Sequence, residues 1–101
     1  MHNPWRFDSI TKYTVYSKVV NVTDDPKSIE NIDLTLEDCN IHVMQNDIKY
    51  GNGDLQEAVA SANSVLTFKK LNLRHFFVKN ATAGSNAKLA IVGTMGRDDG
   101  L

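Results

Sequence analysis

Cys39, His42 and Met44 lie within six residues of one another and are all copper-ligand types. A blue-copper site needs one Cys, two His and a weak axial Met converging on one point. The spacing works against that convergence. On a strand successive side chains alternate between faces, so Cys39 and His42, an odd number of residues apart, point in opposite directions. The remaining histidines, His2 and His75, do not complete a ligand set at a copper-protein spacing. Cys39 is therefore expected to pack in the core, with no metal and no cofactor bound. Asp47, Asn52 and Asp54 offer oxygen ligands for calcium, yet no 12-residue loop closed by a bidentate Glu surrounds them. There is no glycine-rich phosphate loop and no Gly-X-Ser-X-Gly elbow. The expectation is a protein that is not an enzyme.

A second stretch, "KKLNLRHFFVK" at 69–79, sets Lys69, Lys70, Arg74, His75 and Lys79 among aromatic residues. Basic and aromatic side chains interleaved on a sheet can bind single-stranded nucleic acid. The alternative is that the aromatics fill a core while the charges flank strand ends, balanced by Glu30, Asp33, Glu37 and Asp38. The whole-chain balance, 11 basic against 12 acidic residues, favours the alternative, and sequence-specific nucleic-acid binding is not expected. A basic edge meeting an acidic edge of a neighbouring copy is a reading between the two.

The elements that would carry these residues are strands. The 101 residues, 42% hydrophobic and 23% charged, are globular usage for one domain. One cysteine permits no internal disulfide. No apolar run approaches the roughly 20 residues of a membrane span, and "MHNPWRFDSI" has no apolar signal core, so synthesis in a cytoplasm and no membrane partner are expected. Sequons at Asn21 and Asn80 are read as chance matches. Alternating apolar residues predict strands over 13–22, 32–36, 40–44, 48–50, 64–69, 74–79 and 87–93, with turn clusters at 23–27 and 51–54. Residues 55–63 fit either a single helical turn or an irregular strand. The last two strands, with "NATAGSNA" between them, are expected to be antiparallel neighbours. The predicted core is Val15, Leu34, Ile41, Val43, Phe68, Phe76, Val78, Leu89 and Ile91. The fold class is all-β, an antiparallel β-sandwich of jelly-roll or Ig-like type with about seven short strands. It spans 12–95, between an extended N-terminal arm (1–11) and a flexible tail (96–101).

"NIHVMQNDIKYG", "SVLTFKKLNLRHFFVK" and "AGSNAKLAIVGT" give this chain a further character. Across roughly Ile41 to Thr94 the order of strands and turns resembles small β-sandwich structural proteins of tailed bacteriophage virions, including capsid decoration (cement) proteins. "ASANS" stands where those proteins have a Leu-Pro-Gly turn. The resemblance implies a non-enzymatic virion component, made in a host cytoplasm, that binds major capsid or other structural subunits and assembles as a homo-oligomer. The arm offers tentative subunit contacts in Pro4, Trp5, Arg6 and Phe7, because Trp and Arg are common interface anchors. It either docks on a neighbour or folds over its own core. The alternative function is a monomeric carbohydrate-binding-like module, which would need Tyr13, Tyr16 and Tyr50 exposed on a sheet face.

Overall fold

The computed structural model describes residues 12–97. Eight strands run in order: β1 (Lys12–Val22), β2 (Lys27–Ser28), β3 (Thr35–Gln45), β4 (Ile48–Gly51), β5 (Ala58–Ala60), β6 (Val65–Asn72), β7 (Phe77–Asn80) and β8 (Ala87–Arg97). No helix occurs among the described residues. Two antiparallel sheets of four strands form, ordered β1-β8-β3-β6 and β2-β7-β4-β5. The arrangement is all-β and sandwich-like. The arm 1–11, with Pro4, Trp5, Arg6 and Phe7, lies outside the described residues. Of the expected tail, Gly96 and Arg97 belong to β8, opposite Tyr13 and Lys12.

The inner faces follow the alternation. Ile41 and Val43 on β3, Leu89 and Ile91 on β8, and Ile48 and Val78 from the second sheet are all buried. Ile29, Leu73 and Phe76, from the connections, join the same cluster. Phe76 packs edge-on to Phe68 at 5.7 Å and tilted against Tyr50 at 5.6 Å between ring centroids. Burying each such aliphatic or aromatic side chain contributes about 1.5–3 kcal/mol, and with Cys39 unpaired this packing must hold the layers without a disulfide.

The structure departs from the expected pattern in three places. Residues 32–36 and 40–44, expected as separate strands, belong largely to one strand, β3, which begins at Thr35 and runs through a bulge. Asp38 takes φ 50°, a left-handed conformation Asp tolerates, and the register with β8 shifts between Glu37 and Asn40. The extra residue lets Leu36 and Cys39 both face inward. β8 approaches closely here: a Cβ on Gly93 would lie 3.0 Å from the Leu36 side chain. Second, Val15 is 69% exposed rather than core, while Tyr16, Val20 and Val22 take the inward positions of β1. Leu34 and Phe68, also expected in the core, are partly buried against it.

Third, β7 and β8 are not a hairpin but lie in different sheets. β7 is taken on both edges, by β2 and β4, and β8 by β1 and β3. Asn80 stands at the crossing: its Oδ1 accepts from Ala87 N at 3.0 Å, a side-chain bond where a hairpin would use backbone. Residues 55–63 take the strand, the second of the two forms expected for them, rather than the helical turn. They hold the short β5, which pairs with β4 across the one connection that stays within a sheet. That connection turns tightly enough at Gly51 that a Cβ there would collide with the Leu55 carbonyl.

Candidate functional site

The outer face of the first sheet is the most distinctive surface. Pairing registers align its side chains in rows across all four strands. One row runs Val19, Ala90, His42, Val65, and the next runs Ser17, Val92, Asn40, Thr67. Val15 continues the face opposite Thr94, and Met44 stands beyond His42. Of the eight large hydrophobic residues exposed among the described ones, five lie here: Val15, Val19, Met44, Val65 and Val92. Thr67 donates to Asn40 Oδ1 at 3.0 Å, tying β6 to β3 across the middle of the face. β-Branched side chains on a pleated surface lose little rotamer freedom on contact, so such a face can bind without a large ordering cost. The face is mixed, its valines interleaved with Ser17, Asn40, His42 and Thr67, and that balance of apolar and polar surface is ordinary for protein–protein contacts.

The copper-type residues separate as their spacing predicts. Cys39 is fully buried on the inner side of β3, whereas His42 and Met44 are exposed on the outer side. Burial pushes the Cys39 thiol above its ordinary range, which disfavours the thiolate that ligation or nucleophilic attack requires. Among the described residues no group of three or more His, Cys, Asp and Glu is placed to hold a metal ion. Of the three oxygen-bearing residues considered for calcium, two spend a side-chain oxygen on backbone amides. Asn52 Oδ1 accepts from the backbone of Asp54 and Leu55, each at 2.8 Å, and Asp47 Oδ1 accepts from Ala62 N at 2.8 Å.

The basic stretch is partly balanced as its alternative reading holds. Arg74 meets Asp33 at 3.0 Å and His75 approaches the same carboxylate at 3.7 Å. The Asn72 amide, then Arg74, holds the Asp33 carboxyl below its ordinary range. Glu37 lies directly opposite Lys70 in the β3–β6 pairing. Phe76 is core, and Phe77 is half-buried with its ring beside Gly53.

Two further clusters were not legible in the sequence. Along the open side of the sandwich Tyr16 donates to Glu30 Oε2 at 2.5 Å, and Lys18 Nζ reaches the same oxygen at 3.0 Å and Ile29 O at 3.2 Å. The Tyr16 hydroxyl, then the Lys18 ammonium, holds Glu30 below the usual carboxylate range, and burial followed by that same bond pushes Tyr16 up. At one end four connections meet. Asn80 donates to Asp24 Oδ1 at 2.7 Å and to Asn86 Oδ1 at 2.9 Å, and Gly84 N donates to Asp24 at 2.9 Å. Asn80 is only 5% exposed, so its sequon is sterically closed. Beside this hub open two shallow polar clefts. One, of about 220 Å³, is lined by Asn46, Asp47, Ala62, Thr82 and Ser85. The other, of about 260 Å³, has Asp24, Lys49, Lys79 and Asn80 on its walls. The only hint of the hub in the chain is the density of Asn and Asp at the ends of strands.

Of the three tyrosines a carbohydrate-binding face would need, the two whose side chains are described do not stand together exposed on a sheet face. Tyr16 and Tyr50 are half-buried and turned inward, the first toward Glu30 and the second against Phe76, and the Tyr13 side chain is outside the described set. No protein-family model, no curated protein and no solved structure matches this chain.

Proposed function

We propose that this chain is a non-enzymatic structural module of a phage-type virion that docks on other protein subunits through the outer face of its first sheet. The observation that carries the reading is the pair of side-chain rows there, with Val15, Val19, Met44, Val65 and Val92 exposed over four strands. The strand orders β1-β8-β3-β6 and β2-β7-β4-β5 support a finer fold assignment, the eight-stranded jelly roll. That architecture is used by viral capsid domains and by lectins, so it is compatible with both functional readings. In this proposal Pro4, Trp5, Arg6 and Phe7 add an anchor ahead of β1, and homo-oligomers and capsid subunits are the partners. The test is Val92→Glu, at the centre of the face. Because Val92 is already 45% exposed, the variant should keep its fold and melting temperature. Particles isolated from cells producing each form should carry the parent chain and shed the variant. Equal retention of both, or absence of the parent chain from particles, overturns the proposal.

A second reading has its own observation, the polar clefts at the Asn80 end. Asp47, Asn46, Thr82 and Ser85 could receive a small polyhydroxylated ligand, which is the lectin use of the same architecture. Calorimetric titration with simple sugars, against an Asp47→Ala control, separates it from the first.

A further inference from the structure

Every open sheet has two edges, and each edge strand presents unpaired N–H and C=O groups to any strand that approaches. The four edges here are unequal. β2 is two residues long and directly follows Pro26, and β5 is three residues long. β6 is longer but carries Lys69 and Lys70, both exposed, a usual guard against strand addition. β1 differs from all of them. Its eleven residues, KYTVYSKVVNV, pair with β8 along their whole length and pair with no strand on the other side among the described residues. It contains no proline and no glycine. Its one charged residue away from the strand end, Lys18, is exposed but its ammonium is engaged by Glu30 and Ile29 O on the Tyr16 side of the strand.

We infer that β1 is a self-association edge, and that two copies join antiparallel along it about a twofold axis through Ser17. The strand chooses that register. Ser17 is the midpoint of Lys12–Val22, so placing it on the axis pairs all eleven residues of each copy. Val15 then lies opposite Val19 of the second copy, and the outer faces of the two sheets become one continuous face with these valine pairs at its seam. On the inner side Tyr16 faces Lys18 of the second copy. A register centred on Lys18 would set two ammonium groups directly opposite each other, which is unfavourable, and would leave strand ends unpaired. Ser17, small and on the outer side, imposes no clash at the axis. The product is one eight-stranded sheet from two four-stranded ones. A second copy fits better than a foreign strand because this edge matches itself in length and face, and the register sets Lys12 and Lys18 opposite Val22 and Tyr16 rather than opposite each other. The inference goes beyond the docking proposal: it uses the edge of the sheet rather than its face and holds whether or not a particle is the destination.

Cysteine cross-linking tests the register. Cross-strand partners have Cβ atoms about 4.5–5.5 Å apart, near the span of a disulfide. Ser17→Cys should therefore form a covalent dimer under mild oxidation, with buried Cys39 contributing nothing to the unsubstituted chain. Val15→Cys alone should not, since its nearest copy is four residues along the partner strand, about 13 Å away. An equimolar mixture of Val15→Cys and Val19→Cys should cross-link as the mixed pair. Ser17→Pro should convert a sedimenting dimer to monomer, and an unchanged melting transition at low protein concentration would show that the monomer still folds. A parent chain that is monomeric at millimolar concentration, or a dimer in which Ser17→Cys stays uncross-linked, overturns the inference. If instead Val92→Glu abolishes particle binding while Ser17→Cys still dimerises, the edge and the face are separate devices.

Discussion

Replacing Asn80 with Ala tests whether a side chain really carries the chain from one sheet to the other. Three bonds are at stake and they are not equal. Ala87 N is buried and has Asn80 Oδ1, at 3.0 Å, as its acceptor, so truncation orphans a backbone donor at the first residue of β8. A buried donor left unpaired costs about 1–3 kcal/mol. Asp24 loses a charge-assisted bond of 2.7 Å but keeps the Gly84 amide at 2.9 Å, and the exposed Asn86 can turn to water. Together the loss should be about 2–4 kcal/mol. For a domain of this size that lowers the melting temperature by roughly 10–25 °C. Urea denaturation gives the free energy, and amide exchange at Ala87 reports the site. Asn80→Asp adds a signature by keeping the acceptor for Ala87 while setting a second carboxylate against Asp24. In the parent chain Asp24, held below its ordinary 3.8 by Gly84 and Asn80, contributes stability above that value and loses it as pH falls. Asn80→Asp should do the reverse: two close carboxylates bind a shared proton more tightly, so the damage is greatest at neutral pH and eases in acid. A loss below about 0.5 kcal/mol for Asn80→Ala, within the range of an ordinary surface change, refutes the argument, as does unchanged exchange at Ala87.

Two further outcomes follow from the core and the open side. Phe76→Ala should cost about 3–5 kcal/mol by urea denaturation, because the ring is 4% exposed and packs between Phe68 and Tyr50. Glu30 has its carboxyl lowered from 4.5 by the Tyr16 hydroxyl and Lys18, so its contribution is present above that value and disappears as pH falls through the lower folded one. Glu30→Gln should flatten this part of the acid limb in a melting-temperature profile, and a limb of unchanged steepness counts against the assignment.

The residues that were legible in advance are those whose two faces differ. Leu89 and Ile91 alternate with Ala90 and Val92, and Ile41 and Val43 with His42 and Met44, so the period alone says which side is in. β1 offered no such contrast: Val15 and Val19 are as apolar as Val20 and Val22, and only the contact of Tyr16 and Lys18 with Glu30 decides the matter. The bulge at Asp38 hid itself because its extra residue breaks the period of two, so that one strand reads as two, 32–36 and 40–44. The loop at 81–86 has the turn chemistry of a hairpin, and turn chemistry is blind to whether the next strand lies beside the last or across from it. The Asn80 hub escaped for a plainer reason. Its partners, Asp24 and Ala87, are 56 and 7 residues away, and no local pattern joins them.

The pairing of β1 with β8 has a consequence for time as well as shape. Among the described residues the first strand finds its only ladder partner in the last, Lys12 opposite Arg97, and six of the seven connections between strands change sheets. Loop-closure entropy must be met before contacts this distant in sequence repay it, and folding of such topologies is slow. During synthesis β1 leaves the ribosome long before β8 exists. Its Val-rich edge waits unpaired, open to chance partners, through most of the translation of the domain. The local pieces, β4 with β5 above all, are free to form early, whereas the first sheet closes only when the final strand slides between β1 and β3. The folded domain therefore appears only after a delay set by its last strand.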